Sequence, residues 1–185
     1  MQVRQLSVRH IPEQDRLLVR MNNAEGEEYR LWLTRRMLAV LWPHLNEVVA
    51  QANLGAADLS QDEAGKKLLT DFRKEAVLQR ADFATPYNAE PKALPLGDAP
   101  LLATHTHFVR AAGGALEIMF EEILPGPATP RGFTVRLELQ LQVGLLRLIE
   151  NALESADWNL EALNTDKAQK AAAADAEQSR PKYLN

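Results

Sequence analysis

Gly26-Glu27-Glu28-Tyr29-Arg30-Leu31-Trp32-Leu33 leads into an apolar stretch running through Met37 to Val49, and Gly132-Phe133-Thr134-Val135-Arg136-Leu137-Glu138-Leu139 leads into another that ends near Ala156. Laid over each other without a gap, Gly26 meets Gly132, Arg30 meets Arg136, Leu31 meets Leu137 and Leu33 meets Leu139. In both stretches apolar residues alternate at the period of a strand and then switch to the spacing of a helix. Two more apolar runs precede each stretch. The expected fold is therefore α+β, built by internal duplication of a βββα unit, with antiparallel sheets packed against helices.

The first unit is placed at residues 1–53. Val3 to Ile11 reads as a strand, Pro12-Glu13-Gln14-Asp15 as a turn, and Arg16 to Asn22 as a second strand with Leu17, Val19 and Met21 on one face. Tyr29, Leu31 and Leu33 continue that face in a third strand. Thr34 is positioned to cap a helix whose apolar face is Met37, Leu38, Leu41, Leu45, Val48 and Val49. Pro43 inside this helix predicts a kink or break near Trp42.

Residues 60–100 read as a surface linker helix followed by a Pro-rich loop. Ser60-Gln61-Asp62-Glu63 has capping-box spacing, and Leu68, Leu69, Phe72, Ala76 and Phe83 form a thin apolar stripe. Glu63 with Lys67 and Lys67 with Asp71 give charge pairs at four-residue spacing. A loop as long as Thr85 to Pro100 is a linker or a binding element. The second unit is placed at 101–158, with strands at Leu102 to Val109 and Leu116 to Phe120 joined by a hairpin at Gly113-Gly114. Pro125 to Gly132 is expected to be non-strand, Phe133, Val135, Leu137 and Leu139 to face inward, and Leu145, Leu148, Ile149, Ala152 and Leu153 to form a helix face. Residues 159–185 are Ala-, Gln- and Lys-rich and are expected to be a flexible, disordered tail.

The chain has 185 residues, a formal net charge of −4 and no cysteine. That balance argues against wholesale coating of nucleic acid, and the missing cysteines remove disulfides, thiol nucleophiles and thiolate metal sites. Neither a signal-peptide core nor a membrane-length apolar run is seen, so the expectation is a cytoplasmic protein without membrane contact.

On the three N-terminal strands the side opposite the core collects Arg9, Arg16, Arg20, Arg30 and Trp32, with Leu18 among them. Such a face suits an acidic protein partner, or single-stranded nucleic acid, whose phosphates meet arginine and whose bases meet the ring. The matching face of the second unit carries Glu117, Glu121 and Glu138 beside Arg136. His105 and His107 leave one face of a strand, but local spacing supplies no third ligand, so no metal site and no cofactor is expected. Glu121 and Glu122 point to opposite faces and cannot act together. Phosphate-binding, nucleophile-elbow and zinc-protease motifs are all missing. Tyr183 and Leu184 at the end of the tail form a candidate docking peptide. The functional expectation is a non-enzymatic binding or regulatory module acting through self-association and protein–protein contact, with a homodimer favoured because both helices carry wide apolar arcs. Single-stranded nucleic-acid binding is the alternative, and an enzyme of unknown class the third.

Overall fold

The computed structural model of the chain describes residues 1–53, 63–80, 85–88, 90–126 and 129–160. Three antiparallel strands, β1 (Gln5–Ile11), β2 (Arg16–Asn22) and β3 (Glu28–Thr34), lead into α1 (Arg35–Asn53). After α2 (Glu63–Arg80) and the short β4 (Leu101–Leu102), three more antiparallel strands follow, β5 (His105–Arg110), β6 (Leu116–Glu122) and β7 (Arg131–Leu137), and lead into α3 (Leu139–Ala156). The fold is α+β, with two sheets packed on helices.

The period-two alternation is realised as expected. Leu17, Val19, Met21, Leu31 and Leu33 of the first sheet and Leu116, Ile118, Phe120, Val135 and Leu137 of the second are all buried. They meet Leu41 and Leu45 of α1 and Leu145 and Ile149 of α3 in one shared core, which leaves a cavity of only about 10 Å³. That space is at the limit for a single water and is lined by apolar groups.

The gapless overlay is out of step with the strand-to-helix boundary. The helices start at Arg35 and Leu139. Aligning those starts puts Leu31 on Val135, Leu33 on Leu137 and Trp32 on Arg136. A shift of two residues preserves the inward and outward parity, which is why the sequence pattern does not expose it.

The segments leading into each unit cross over. Met1 to Val3 belong to the first strand by sequence, yet they run parallel to β7: Val3 N–H donates to Arg136 O at 3.3 Å and Arg136 N–H to Met1 O at 2.8 Å. Leu101 and Leu102 pair in parallel with Leu31 and Trp32 of β3, and after a bend at Thr104 the chain joins β6 as β5. Thus the expected strand from Val3 begins at Gln5, and the expected strand from Leu102 is divided between two sheets. Each sheet is completed by the other unit's lead-in.

Local chemistry explains the remaining elements. Thr34 Oγ1 accepts from Met37 N–H at 3.1 Å and caps α1. Of the kink or break expected near Trp42, the break does not occur: α1 runs continuously through Pro43, Leu41 and Leu45 on either side are buried, and Asn46 Nδ2 donates to Trp42 O at 2.9 Å. Gly113 and Gly114 take φ of 76° and 79°, the left-handed conformations that a tight hairpin demands. β7 starts at Arg131, earlier than expected, and a Cβ at Gly132 would meet Phe120 O at 2.9 Å, so this strand position needs glycine. α2 packs against α3 and α1. Its inner side uses the half-buried Val77 and Leu78; of the expected stripe Leu69 and Ala76 are half-buried, while Leu68 and Phe72 are 73% and 71% exposed. The Ser60 cap, the Lys67 charge pairs and Phe83 lie outside the residues and side chains described. At the far end of α3, Trp158 and Leu160 are buried, with Trp158 Nε1 donating to Asp15 Oδ1 at 2.9 Å and the Trp158 ring edge-on to His10.

Candidate functional site

Strand register assembles the arginine face. Arg9 pairs with Leu18, Leu18 with Trp32 and Trp32 with Leu102, so these four side chains form one row across the sheet. Ile11, Arg16 and Thr34 form the next row on one side, and Ser7, Arg20 and Arg30 the next on the other. All five residues picked from the sequence therefore share one face.

A fifth charged residue lies on that face, and its role is not visible in the sequence. Glu28 alternates with Arg30 and Trp32, yet its side chain is fully buried. Arg20 Nη2 donates to Glu28 Oε2 at 2.7 Å, Arg30 Nε to Glu28 Oε1 at 2.6 Å, and Tyr87 OH to Glu28 Oε2 at 2.7 Å. The Arg20 guanidinium also sits 4.7 Å from the centre of the Tyr87 ring. Burial pushes the Glu28 carboxyl up, but hydrogen bonds from Arg30, Tyr87 and Arg20 and the Arg20 charge outweigh it and hold the group below its usual range. Burial first, then the Glu28 hydrogen bond and charge, drive the Tyr87 phenol far above its ordinary value, against the opposing charges of Arg20 and Arg30.

Tyr87 arrives on the Pro-rich loop, which is a strap across one end of the sheet. Lys92 N–H donates to Gly26 O at 2.8 Å and Glu28 N–H to Ala93 O at 2.9 Å, extending the edge of β3. Gln5 Nε2 donates to Pro86 O at 3.4 Å, and Gln5 Oε1 accepts from Asn88 N–H at 3.2 Å and Asn22 Nδ2 at 2.9 Å. The strap covers the Gln5–Asn22–Glu28 end. Arg20 and Arg30 are committed there to Glu28, so a charge reversal at Arg20 is expected to destabilise the fold.

Arg9 and Arg16 behave differently. Arg9 is exposed, Arg16, Leu18 and Trp32 are half-buried, and neither arginine makes an ion pair among the described residues. The second sheet's outer face is internally paired: Arg136 lies 3.4 Å from both Glu117 and Glu138, and His107 lies 3.5 Å from Glu121. Register brings Glu121 beside the two histidines, a neighbour that linear spacing could not reveal. No group of three or more metal-ligating side chains occurs among the described residues. Inside, Glu122 is buried and bound by Arg131, and its Oε1 accepts from Leu102 N–H at 3.3 Å, which holds the exchanged strand. Buried Gln142 donates from Nε2 to Gly114 O at 2.8 Å and Leu137 O at 3.0 Å, tying α3 to the hairpin.

The wide helix arcs are largely satisfied within the chain. α1 packs on α3, Leu146 is buried, and Trp42 and Leu141 are half-buried, leaving Val40 exposed. Among the described residues no helix is long and apolar enough to cross a membrane. Tyr183 and Leu184 lie outside the described residues. The chain matches no protein-family model, no curated protein and no solved structure.

Proposed function

We propose that the chain is a non-enzymatic binding module that takes an acidic protein partner onto the outer face of β1–β3 and also associates with itself. The observation carrying the reading is the row Arg9–Leu18–Trp32, bordered by Arg16, at the end of the sheet that the strap does not cover. Two cations without carboxylate partners among the described residues, beside a half-buried indole and a leucine, have the composition of an interface centre. The buried carboxylates Glu28 and Glu122 are saturated by arginine, which suits structural work better than proton transfer. Single-stranded nucleic acid is the weaker reading, because Arg20 and Arg30 are committed to Glu28 and only two arginines remain to track a backbone.

The test is the double variant Arg9→Glu with Arg16→Glu, compared with the native chain in protein capture from lysate and in titration with a labelled single-stranded oligonucleotide. Loss of a captured acidic protein in the variant, with an unchanged melting temperature, supports the reading. Undiminished capture removes this face from consideration, and salt-dependent oligonucleotide binding by the native chain would put the nucleic-acid reading in its place.

A further inference from the structure

The geometry points to β5 as a dimerisation strand that pairs antiparallel with β5 of a second copy of this chain, joining the two second sheets into one. The inference rests on the self-association part of the reading above and is independent of the arginine face.

β5 pairs with β6 alone, and its other edge has no strand partner among the described residues. Ala111 N–H donates to Ala115 O at 2.8 Å, which fixes the phase of the ladder. By the alternation of an antiparallel pair, His105, His107 and Val109 bond to β6 through their backbones, and the backbone N–H and C=O groups of Thr106, Phe108 and Arg110 point outward. Natural edges are guarded by proline, lysine, a bulge or a covering element. β5 has no proline and no lysine, its one formal charge is Arg110 at the last position, its register with β6 is unbroken, and its Val109 is 59% exposed. The equivalent strand of the first unit is treated differently. α3 lies along β1 and Trp158 seals its end, whereas α1 packs on β3 and α3 and does not lie along β5.

A second copy fits this edge. With the two strands centred on Phe108, each outward N–H faces an outward C=O: Phe108 pairs with Phe108 of the partner subunit and Thr106 with the partner's Arg110. On the outer face His107 meets the partner's Val109. No two like charges face each other in this register. β5 contains one formal cation, Arg110, and no carboxylate, so no two carboxylates meet across the new seam. The contact is isologous and closed, so it stops at two chains.

The test combines mass with register. Light scattering on the native chain is expected to give twice the 20.7 kDa chain mass. Thr106→Pro removes an outward donor without touching the β6 ladder and is expected to weaken the dimer at least about tenfold with an unchanged circular dichroism spectrum. Because the chain contains no cysteine, engineered thiols report without background. Opposed residues of a non-hydrogen-bonded pair lie about 4.5 Å apart at Cα, within disulfide reach. Mixing His107→Cys chains with Val109→Cys chains under oxidation is therefore expected to give a cross-linked heterodimer that neither variant forms alone. A native chain that stays monomeric at all concentrations overturns the inference together with the self-association it rests on. A dimer that survives Thr106→Pro and gives no mixed cross-link overturns the β5 assignment while leaving self-association through another surface.

Discussion

Val3 and Ala103 make the same backbone hydrogen bond in the two halves of the molecule: Val3 N–H donates to Arg136 O at 3.3 Å, and Ala103 N–H to Trp32 O at 3.1 Å. Each residue leads into one unit and binds the third strand of the other, and both are buried. The acceptors Trp32 and Arg136 are also the residues that coincide when the two helix starts are aligned. The consequence is mechanical as well as geometric, since neither three-stranded sheet completes its outer row without the other half of the chain.

Removing residues 1–4 takes Val3 from the core and strips β7 of its parallel partner. The expected loss is roughly 2–4 kcal/mol, from one buried aliphatic side chain and its backbone bonds. Urea unfolding measures it as a lowered midpoint with an unchanged slope. An unmoved midpoint would show that the exchanged segment contributes nothing to stability.

Leu31→Asp and Leu137→Asp should each be severely destabilising, because both side chains have no exposed surface and sit on the inward faces of third strands in one shared core. An unpaired carboxylate there costs well over 3 kcal/mol or forces its own protonation. Soluble protein that retains the native melting temperature for either variant would contradict the common core.

Elements with strong local periodicity were legible in the sequence. Leu17, Val19 and Met21 announce an inward strand face, Thr34 announces a cap, and Gly113-Gly114 a hairpin, because each depends on neighbours within a few residues. Three features were not legible, each because its cause is distant. The strand exchange depends on a bend at Thr104 and on pairing with strands far along the chain. Glu28 follows a turn sequence and looks like a solvated acid; its burial requires Tyr87, 59 residues away, together with two arginines. The arginine face was assembled correctly from alternation alone, but the division of labour within it, with Arg20 and Arg30 held by Glu28 and Arg9 and Arg16 left over, is a property of the strap.

The expected α2 stripe holds only in part, with Leu69 and Ala76 half-buried, because a thin stripe fits more than one helical arc. Leu68 and Phe72 are exposed, whereas Val77 and Leu78 pack against the core. Leu68→Asp should therefore change stability by no more than about 0.5 kcal/mol, and Val77→Asp should cost about 2 kcal/mol or more. Paired thermal melts of the two variants decide it, and equal effects would restore the original stripe.

The Glu28 network should set both pH limits of stability. The Glu28 carboxyl is held below its ordinary value of 4.5 in the folded chain, so its contribution is complete above that pH and is lost as pH falls through the depressed folded value. Tyr87 shifts the other way. Its phenol is raised above 10.0, so the folded state favours the neutral form, and that contribution is complete below pH 10.0 and lost as pH rises toward the folded value. Tyr87→Phe deletes the hydrogen bond but keeps the ring under Arg20, and should cost about 1.5–3 kcal/mol near neutral pH while flattening the alkaline limb. Arg20→Glu is harsher, since it sets a second carboxylate against a buried one, and should cost roughly 3–5 kcal/mol. Denaturant midpoints measured from acid to alkaline pH separate these effects. A Tyr87→Phe chain whose alkaline limb matches the native one would show that the phenol does not carry this dependence, and an Arg20→Glu chain of native stability would show that the arginine is dispensable to Glu28.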